Sequence, residues 1–411
     1  MQGAVGFVVL LGMAWVLSED RRAIPWRVVG GGVGLQLAMA GVLFWAAPAR
    51  SAVLLLNRAA DALQTATDTG TAFLFGYLSG ATPPFTVTAP AAGVILAFKI
   101  LPLVLIISAL SAVLFHWGLL HRVTGALAWA LRRTLGIDGA LALAAVVHIF
   151  LGMIEAPLLI RPYLGRMQRG ELFAMMTCGM AGVAGTVMVL YASVLRPVLP
   201  DALGTILIAS VISTPAALAV GALMVPFSLT DRGTVPVAGC RSLSTLDALV
   251  RGTAEGVGPL VAILSTLLVA VALVTLCNQG LAAVGPGDAP LTLQSLFALP
   301  FRPVMWLIGI PWLETGPAAL LMGTKTVLNE LVAYVSLAGL PESALTPRSR
   351  VIVTYALCGF ANFGSVGILV GGLSAMVPER RAEVVALGAK SLLSGTIATC
   401  MSGAVAGFLG A

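Results

Sequence analysis

Three carboxylates stand inside apolar sequence: Glu155 in "GMIEAPLLIRPYL" (152–164), and Glu314 and Glu330 in "IPWLETGPAALLMGTKTVLNE" (310–330). An ionised carboxylate at the centre of a spanning helix costs about 2.5–3.5 kcal/mol, so such acids face an aqueous cavity or a partner. The chemistry open to them is hydrogen-bond acceptance from a polar solute, proton carriage, or ion pairing inside the protein. For Glu314 the obvious neutralising partner is Lys325. Lys325 and Asn329 are four residues apart, hence on one face of a helix with Glu330 beside them, although a lysine near a helix end can also snorkel. Asn362 and Ser365 in "FANFGSVG" are three apart and share a helix face, with Gly364 and Gly367 favouring local unwinding. They suit either solute binding or interhelical hydrogen bonding. His148, the one histidine inside an apolar run, precedes Glu155 by seven residues and reads as a structural donor or as a proton carrier.

Positioning such groups requires elements that live in lipid. The chain of 411 residues is 59% hydrophobic and 10% charged, with a mean hydropathy of +1.01, which excludes an ordinary soluble domain. Apolar stretches long enough to cross about 30 Å of hydrocarbon recur along it. Spans are predicted over 3–17, 28–48, 92–119, 172–194, 203–226, 257–280, 349–373 and 385–409, with surface-lying amphipathic helices over 51–64 and 121–135. The first lacks a basic leader and a small-residue cleavage site, so it reads as a span and not as a signal peptide. Residues 139–165 and 303–338 are apolar but interrupted by Gly, Pro and charge. Such segments suit re-entrant hairpins or broken helices, tolerated at membrane depth where protein or a cavity satisfies the backbone.

The sequence also repeats itself. "CGMAGVAGT" begins at Cys178 and "CGFANFGSV" at Cys358, 180 residues later, each following an interrupted segment. Paired broken segments in two halves point to a secondary transporter with its site near the midplane. The net charge of +6 sits in short inter-span loops, "SEDRRAIPWR", "HRVTGALAWALRRTLG" and "PERRAE", so it reports topology and not nucleic-acid binding. Placing the first and last of these in the cytoplasm leaves both termini outside. Cys178, Cys240, Cys277, Cys358 and Cys400 show no CxxC or Cys/His spacing and are expected as thiols at packed interfaces. HExxH, GxSxG and paired intramembrane aspartates are absent, so the enzymatic option reduces to an acid/base pair of Glu155 and His148.

At these residues the chain resembles the concentrative nucleoside transporter family, the cation-coupled importers of nucleosides, in its bacterial form. "GTKTVLNELVAY" (323–334) fits the family signature G-x-K-x3-N-E-[LF]-[VA], and "EAPLLIRPYL", "ELFAMM", "ALCGFAN", "PERR" and "AFKILP" also fit. The resemblance implies an all-α polytopic membrane protein with eight transmembrane helices, interfacial helices, two re-entrant helical hairpins, an inverted repeat and elevator-type transport. It implies a homotrimer in the bacterial cytoplasmic membrane, with lipid and a small solute as partners and no cofactor. Its domains would fall at 1–136 (scaffold helices and interfacial helix), 137–227 (first hairpin, unwound fourth helix, fifth helix), 228–300 (sixth helix, scaffold) and 301–411 (second hairpin, unwound seventh helix, eighth helix).

Carried over by position, the family's ribose-binding acid and polar pair fall on Glu330, Asn362 and Ser365, the acid at the first hairpin tip on Glu155, and the apolar residues flanking the base on Phe360 and Val187. Two departures bear on function. Where the family has Gly-Gln-Thr-Glu or Gly-Gln-Ser-Glu, this chain has Gly152-Met153-Ile154-Glu155. Losing two neutral hydrogen bonds of about 0.5–1.5 kcal/mol each weakens base recognition roughly tenfold to a hundredfold. The family's sodium-ligating Asn and Ser correspond to His148 and Gly182, leaving the carbonyls of Leu151 and Val183 as ligands of a degenerate site. The coupling ion is then expected to be a proton, on His148 or Glu155, or sodium. The solute is a nucleoside or nucleoside-like compound, or alternatively another small polar solute on the same scaffold.

Overall fold

The computed structural model describes residues 2–86, 95–229, 242–284 and 291–410. Among them the regular structure is helical, without strands, as lipid demands of a backbone that must satisfy itself. The chain runs through α1 (Gln2–Val16), α2 (Trp26–Trp45), α3 (Ala47–Phe75), α4 (Leu96–Lys99), α5 (Leu103–His116) and the amphipathic α6 (Leu119–Leu135). Then come α7 (Gly139–Val147), α8 (Glu155–Leu159), α9 (Arg161–Leu164), α10 (Arg169–Ala181), α11 (Gly185–Leu195) and α12 (Ala202–Met224). After the long α13 (Thr245–Val284) follow α14 (Leu293–Leu307), α15 (Thr315–Val327), α16 (Glu330–Gly339), α17 (Pro347–Leu357), α18 (Phe363–Met376) and α19 (Arg381–Val405).

The order α6 to α12 recurs in α14 to α19: an amphipathic helix, short helices meeting at a turn, a broken helix, then a long one. The two series run in opposite senses. α10 starts beside Glu19, just past the end of α1, where Arg169 pairs with that carboxylate at 3.1 Å. α17 starts at the opposite face, where Arg348 donates to the Gly309 and Gly407 carbonyls near Gly3 at the start of α1. Both chain ends lie on this second face, since Trp45 Nε1 donates to the Leu409 carbonyl at 3.2 Å. Lys390 also reaches Glu19, at 2.6 Å. The Arg169 hydrogen bond, with help from Lys390, holds the Glu19 carboxyl below its ordinary range, tying the α1–α2 turn to the starts of α10 and α19.

Among the described residues six helical stretches are long and apolar enough to cross a membrane: Trp26–Trp45, Leu96–His116, Arg169–Leu195, Ala202–Met224, Thr245–Ala282 and Pro378–Gly410. α1, α16 and α18 are shorter apolar helices. The core is built on α12, whose buried small and branched side chains pack against α2, α10 and α19. By contrast α13 lies mainly along α5 and leaves Leu268, Leu273 and Leu276 exposed.

Several boundaries differ from expectation. The span predicted over 257–280 begins at Thr245. Its early part is charged by Arg251 and Glu255, which hides it from a hydropathy reading. Gly252 and Gly256 nevertheless let α5 approach closely, for a Cβ there would meet Ala112 Cβ at 2.5 Å and Ser108 Cβ at 2.8 Å. The surface helix expected over 51–64 runs on to Phe75. Cys178, Cys358 and Cys400 are buried free thiols, whereas Cys277 is exposed, because it lies on the face of α13 turned away from the core. Cys240 lies outside the described residues.

Candidate substrate site

Both repeats end their first half-helix at the stretches singled out in the sequence. α10 stops at Ala181 and α11 restarts at Gly185, while α17 stops at Leu357 and α18 restarts at Phe363. The two breaks touch: the Phe360 N–H donates to the Gly182 carbonyl at 3.3 Å. Glycine is required here for close approach, since a Cβ on Gly359 would meet Thr399 Cγ2 at 2.7 Å and the Met180 carbonyl at 2.8 Å. Gly359→Ala is therefore expected to destabilise the protein by about 1–3 kcal/mol through overpacking. A thermal melt in detergent reads this, and an unchanged midpoint contradicts it.

Beside the breaks lies a cavity of about 390 Å³, within the range of about 300–1,000 Å³ usual for small-molecule sites. It is lined by the α7–α8 turn (Met153, Ile154, Glu155), α11 (Val187, Tyr191), the α15–α16 turn (Asn329, Glu330) and the second break (Phe360, Asn362, Ser365). One face of α13 closes it with Pro259, Ile263 and Thr266. The six residues assigned to the solute by resemblance, and the two that depart from it at Met153 and Ile154, thus stand around one chamber.

The polar end of the chamber centres on Glu330, buried as the first residue of α16. Its Oε1 accepts from Tyr191 Oη at 2.5 Å and its Oε2 from Asn362 Nδ2 at 3.0 Å. Asn362 is fixed from its other end as well: it caps α18, its Oδ1 accepting from the Ser365 N–H at 2.7 Å. Asn329 caps α16 in the same way, accepting from the Val332 N–H at 3.0 Å. Capping stabilises each restarted helix by about 0.5–2 kcal/mol and leaves the Asn329 amide nitrogen, the Ser365 hydroxyl and spare lone pairs of Glu330 for a solute.

These caps correct two expectations. Asn362 and Ser365 do not share a helix face, and neither do Lys325 and Asn329, because in each case the asparagine starts a new helix by bonding the backbone itself. Lys325 neither snorkels nor pairs with Glu314. It is wholly buried, its Nζ donating to the Ala356 carbonyl at 3.0 Å and to Thr399 Oγ1 at 3.4 Å. Glu314 sits at the surface and accepts from the Thr346 N–H and hydroxyl at 3.0 and 3.1 Å.

The wall opposite the Glu330 cluster is chemically different. Met153 is buried and Ile154 half-buried, with Ile154 reaching into the space left by Gly372. The Glu155 carboxylate curls over Gly152, whose missing side chain gives it room. It is open to the cavity and has no hydrogen-bond or ionic partner among the described residues.

His148, Leu151, Gly182 and Val183 are brought together behind this wall and do not line the cavity. A Cβ on Gly182 would lie 4.0 Å from the His148 carbonyl. The imidazole is buried, with no partner at Nε2 among the described residues. Tyr191, Thr186 and the α13 residues of the cavity escaped sequence reasoning. For Tyr191 a signal existed, since a phenol hydroxyl inside an apolar span needs a buried partner.

Residues 5–78 and 205–407 match family models described as the Na+ dependent nucleoside transporter N-terminus and C-terminus, and residues 97–198 match a nucleoside recognition model. An uncharacterized transporter of Haemophilus influenzae is 36% identical over 100% of this chain and 98% of its own length. The chain belongs to the concentrative nucleoside transporter family. A second relative of this transporter, the nucleoside permease NupC of Helicobacter pylori, is 31% identical over 99% of this chain and 97% of its own. The structure of CNTnw in an inward-facing substrate-bound state is similar at a TM-score of 0.90 and 33% identity, covering 100% of the transporter and 99% of CNTnw. These relatives are carriers and not enzymes, so the acid/base enzymatic option for Glu155 and His148 falls.

Proposed function

We propose that this transporter imports nucleosides across the bacterial cytoplasmic membrane by cation-coupled symport. The observation that carries this is Glu330, held by Tyr191 and Asn362 at the edge of a cavity that also exposes Asn329 and Ser365. A ribose offers vicinal hydroxyls that donate to the Glu330 carboxylate and accept from the Asn329 amide and the Ser365 hydroxyl. Hydrogen bonds to a charged group contribute about 1.5–3 kcal/mol each, and the base rests on Phe360 and Val187. Among the described residues no Lys or Arg lines the cavity, which suits an uncharged solute.

In this reading α10–α11 and α17–α18 each count as one broken span, giving eight with α1, α2, α4–α5, α12, α13 and α19, while α7–α9 and α15–α16 are two re-entrant hairpins. Residues 1–136 and 228–300 form the scaffold, and 137–227 and 301–411 form a transport domain moving as an elevator. The apolar exposed flank of α13 supports a homotrimer built on α5 and α13. Arg21, Arg22 and Arg169 on the face of Glu19 support a cytoplasmic assignment for that face, with both termini outside.

Sodium fits the residues at its family position poorly. His148 supplies a nitrogen and Gly182 no side chain, and the Gly182 carbonyl already accepts from Phe360. A hard cation prefers several oxygen ligands. The coupling ion in this reading is a proton, whose gradient supplies about 2.3 kcal/mol per 100 mV. Uptake of radiolabelled nucleosides into proteoliposomes is expected to follow an inward proton gradient and to persist when potassium replaces sodium. Uptake requiring sodium would overturn proton coupling, and no uptake of any nucleoside under either gradient would overturn nucleoside import.

A further inference from the structure

We infer that the site favours nucleosides whose base presents two adjacent N–H donors on one edge, as guanine does, over bases that turn carbonyl oxygens to that edge. The inference rests on the nucleoside reading above and names the substrate class within it.

With the sugar held at Glu330, Asn362 and Ser365, the base extends toward the wall made by Met153, Ile154 and Glu155. Met153 and Ile154 offer no hydrogen bond, and the surrounding Val187, Ile263, Phe360 and Ile368 are apolar. Thr186 and Thr266 bring hydroxyls from elsewhere in the lining. On the wall itself the polar group is Glu155, whose carboxylate lacks a partner among the described residues. When ionised it accepts only, with two oxygens spaced to take two parallel N–H donors.

Guanine meets that geometry with its ring N1–H and its exocyclic 2-amino group side by side. Hypoxanthine keeps the ring N–H but has only C–H where guanine has the amino group. Adenine and cytosine set an amino group beside a ring nitrogen whose lone pair faces the second carboxylate oxygen. Uracil flanks its single N–H with two carbonyls, whose oxygens would stand against the carboxylate. A family tip carrying an amide and a hydroxyl offers donors for such carbonyls, and this chain has replaced both. The larger purine also covers more of the apolar lining, in the same direction as the edge argument.

The decisive comparison is guanosine against inosine, which differ by the 2-amino group alone. Concentration-dependent uptake into proteoliposomes, under whichever gradient drives transport, is expected to give guanosine a KM roughly ten- to hundredfold below that of inosine, the usual effect of one hydrogen bond to a charged group, and at least as far below that of uridine. Glu155→Gln is expected to bring the guanosine-to-inosine ratio close to one, through KM. If that variant does not transport, the same ratio read from ligand-induced thermal shifts of the purified protein serves instead. Equal KM values for guanosine and inosine in the natural protein, or an unchanged ratio in Glu155→Gln, would overturn the inference while leaving nucleoside import standing. Absence of transport and binding for every nucleoside would overturn the proposed function itself.

Discussion

Glu330→Gln is expected to lower kcat/KM for nucleoside uptake by about a hundredfold or more, since two charge-assisted bonds to the sugar amount to about 3–6 kcal/mol. The amide keeps the size of the carboxylate but replaces one acceptor oxygen with a donor. Tyr191 Oη and Asn362 Nδ2 both donate to this group, so one of them must then face an N–H. Taking the charge out of this buried cluster also lowers stability, so the loss in solute binding is read as kcat/KM per folded protein, with a melt run beside it. Tyr191→Phe removes one orienting bond and is expected to cost about tenfold. Uptake by Glu330→Gln at the natural rate would show that the carboxylate does not hold the solute.

The second large effect is structural. At the break after α17 the Phe360 N–H, which an unbroken helix would return to the Ala356 carbonyl, goes instead to Gly182. The Ala356 carbonyl is thereby released deep in the protein, and Lys325 Nζ takes it. Lys325→Met keeps most of the side-chain volume but leaves that carbonyl unpaired and Glu330 without the nearby positive charge it feels. A destabilisation of about 3–5 kcal/mol is expected, the usual penalty for removing one partner of a buried charged contact. It is read as a fall in the melting midpoint and in the yield of folded protein. Lys325→Arg is expected to fail too, because a planar fork does not replace a compact ammonium in a closed site. A Met variant as stable as the natural protein would mean that water or backbone movement satisfies the carbonyl.

Much of this was legible from residue pattern alone. Hydropathy finds, among the described residues, the six helical stretches long enough to cross a membrane, the interrupted segments over 139–165 and 303–338 coincide with short helices, and the two Cys-Gly stretches fall at the breaks. Residue pattern does not place the helix breaks to the residue. Spacing of three or four residues implies a shared face only if one helix continues, and at Asn329 and Asn362 the side chain captures the backbone and ends that continuity. Spacing does not reveal the role of Lys325 because its acceptor, the Ala356 carbonyl, is far along the chain and is free only once α17 has broken. The start of α13 was hidden because charge near a helix end lowers hydropathy without stopping the helix. Membership in the transporter family settles what kind of molecule this is, while the chemistry at Met153, Ile154 and Glu155 departs from the pattern the resemblance predicts.

Asn329 and Asn362, the residues that start α16 and α18, carry a consequence for how such a carrier diversifies. The sugar-facing half of the chamber is welded into the architecture: its amides terminate backbone, so altering them would damage the fold together with recognition. At the tip, by contrast, no side chain caps the short helix that begins at Glu155, so recognition there is separate from backbone hydrogen bonding. New cargo specificities are thus accessible through a handful of consecutive codons, provided the replacements for Met153 and Ile154 keep the volume that packs there.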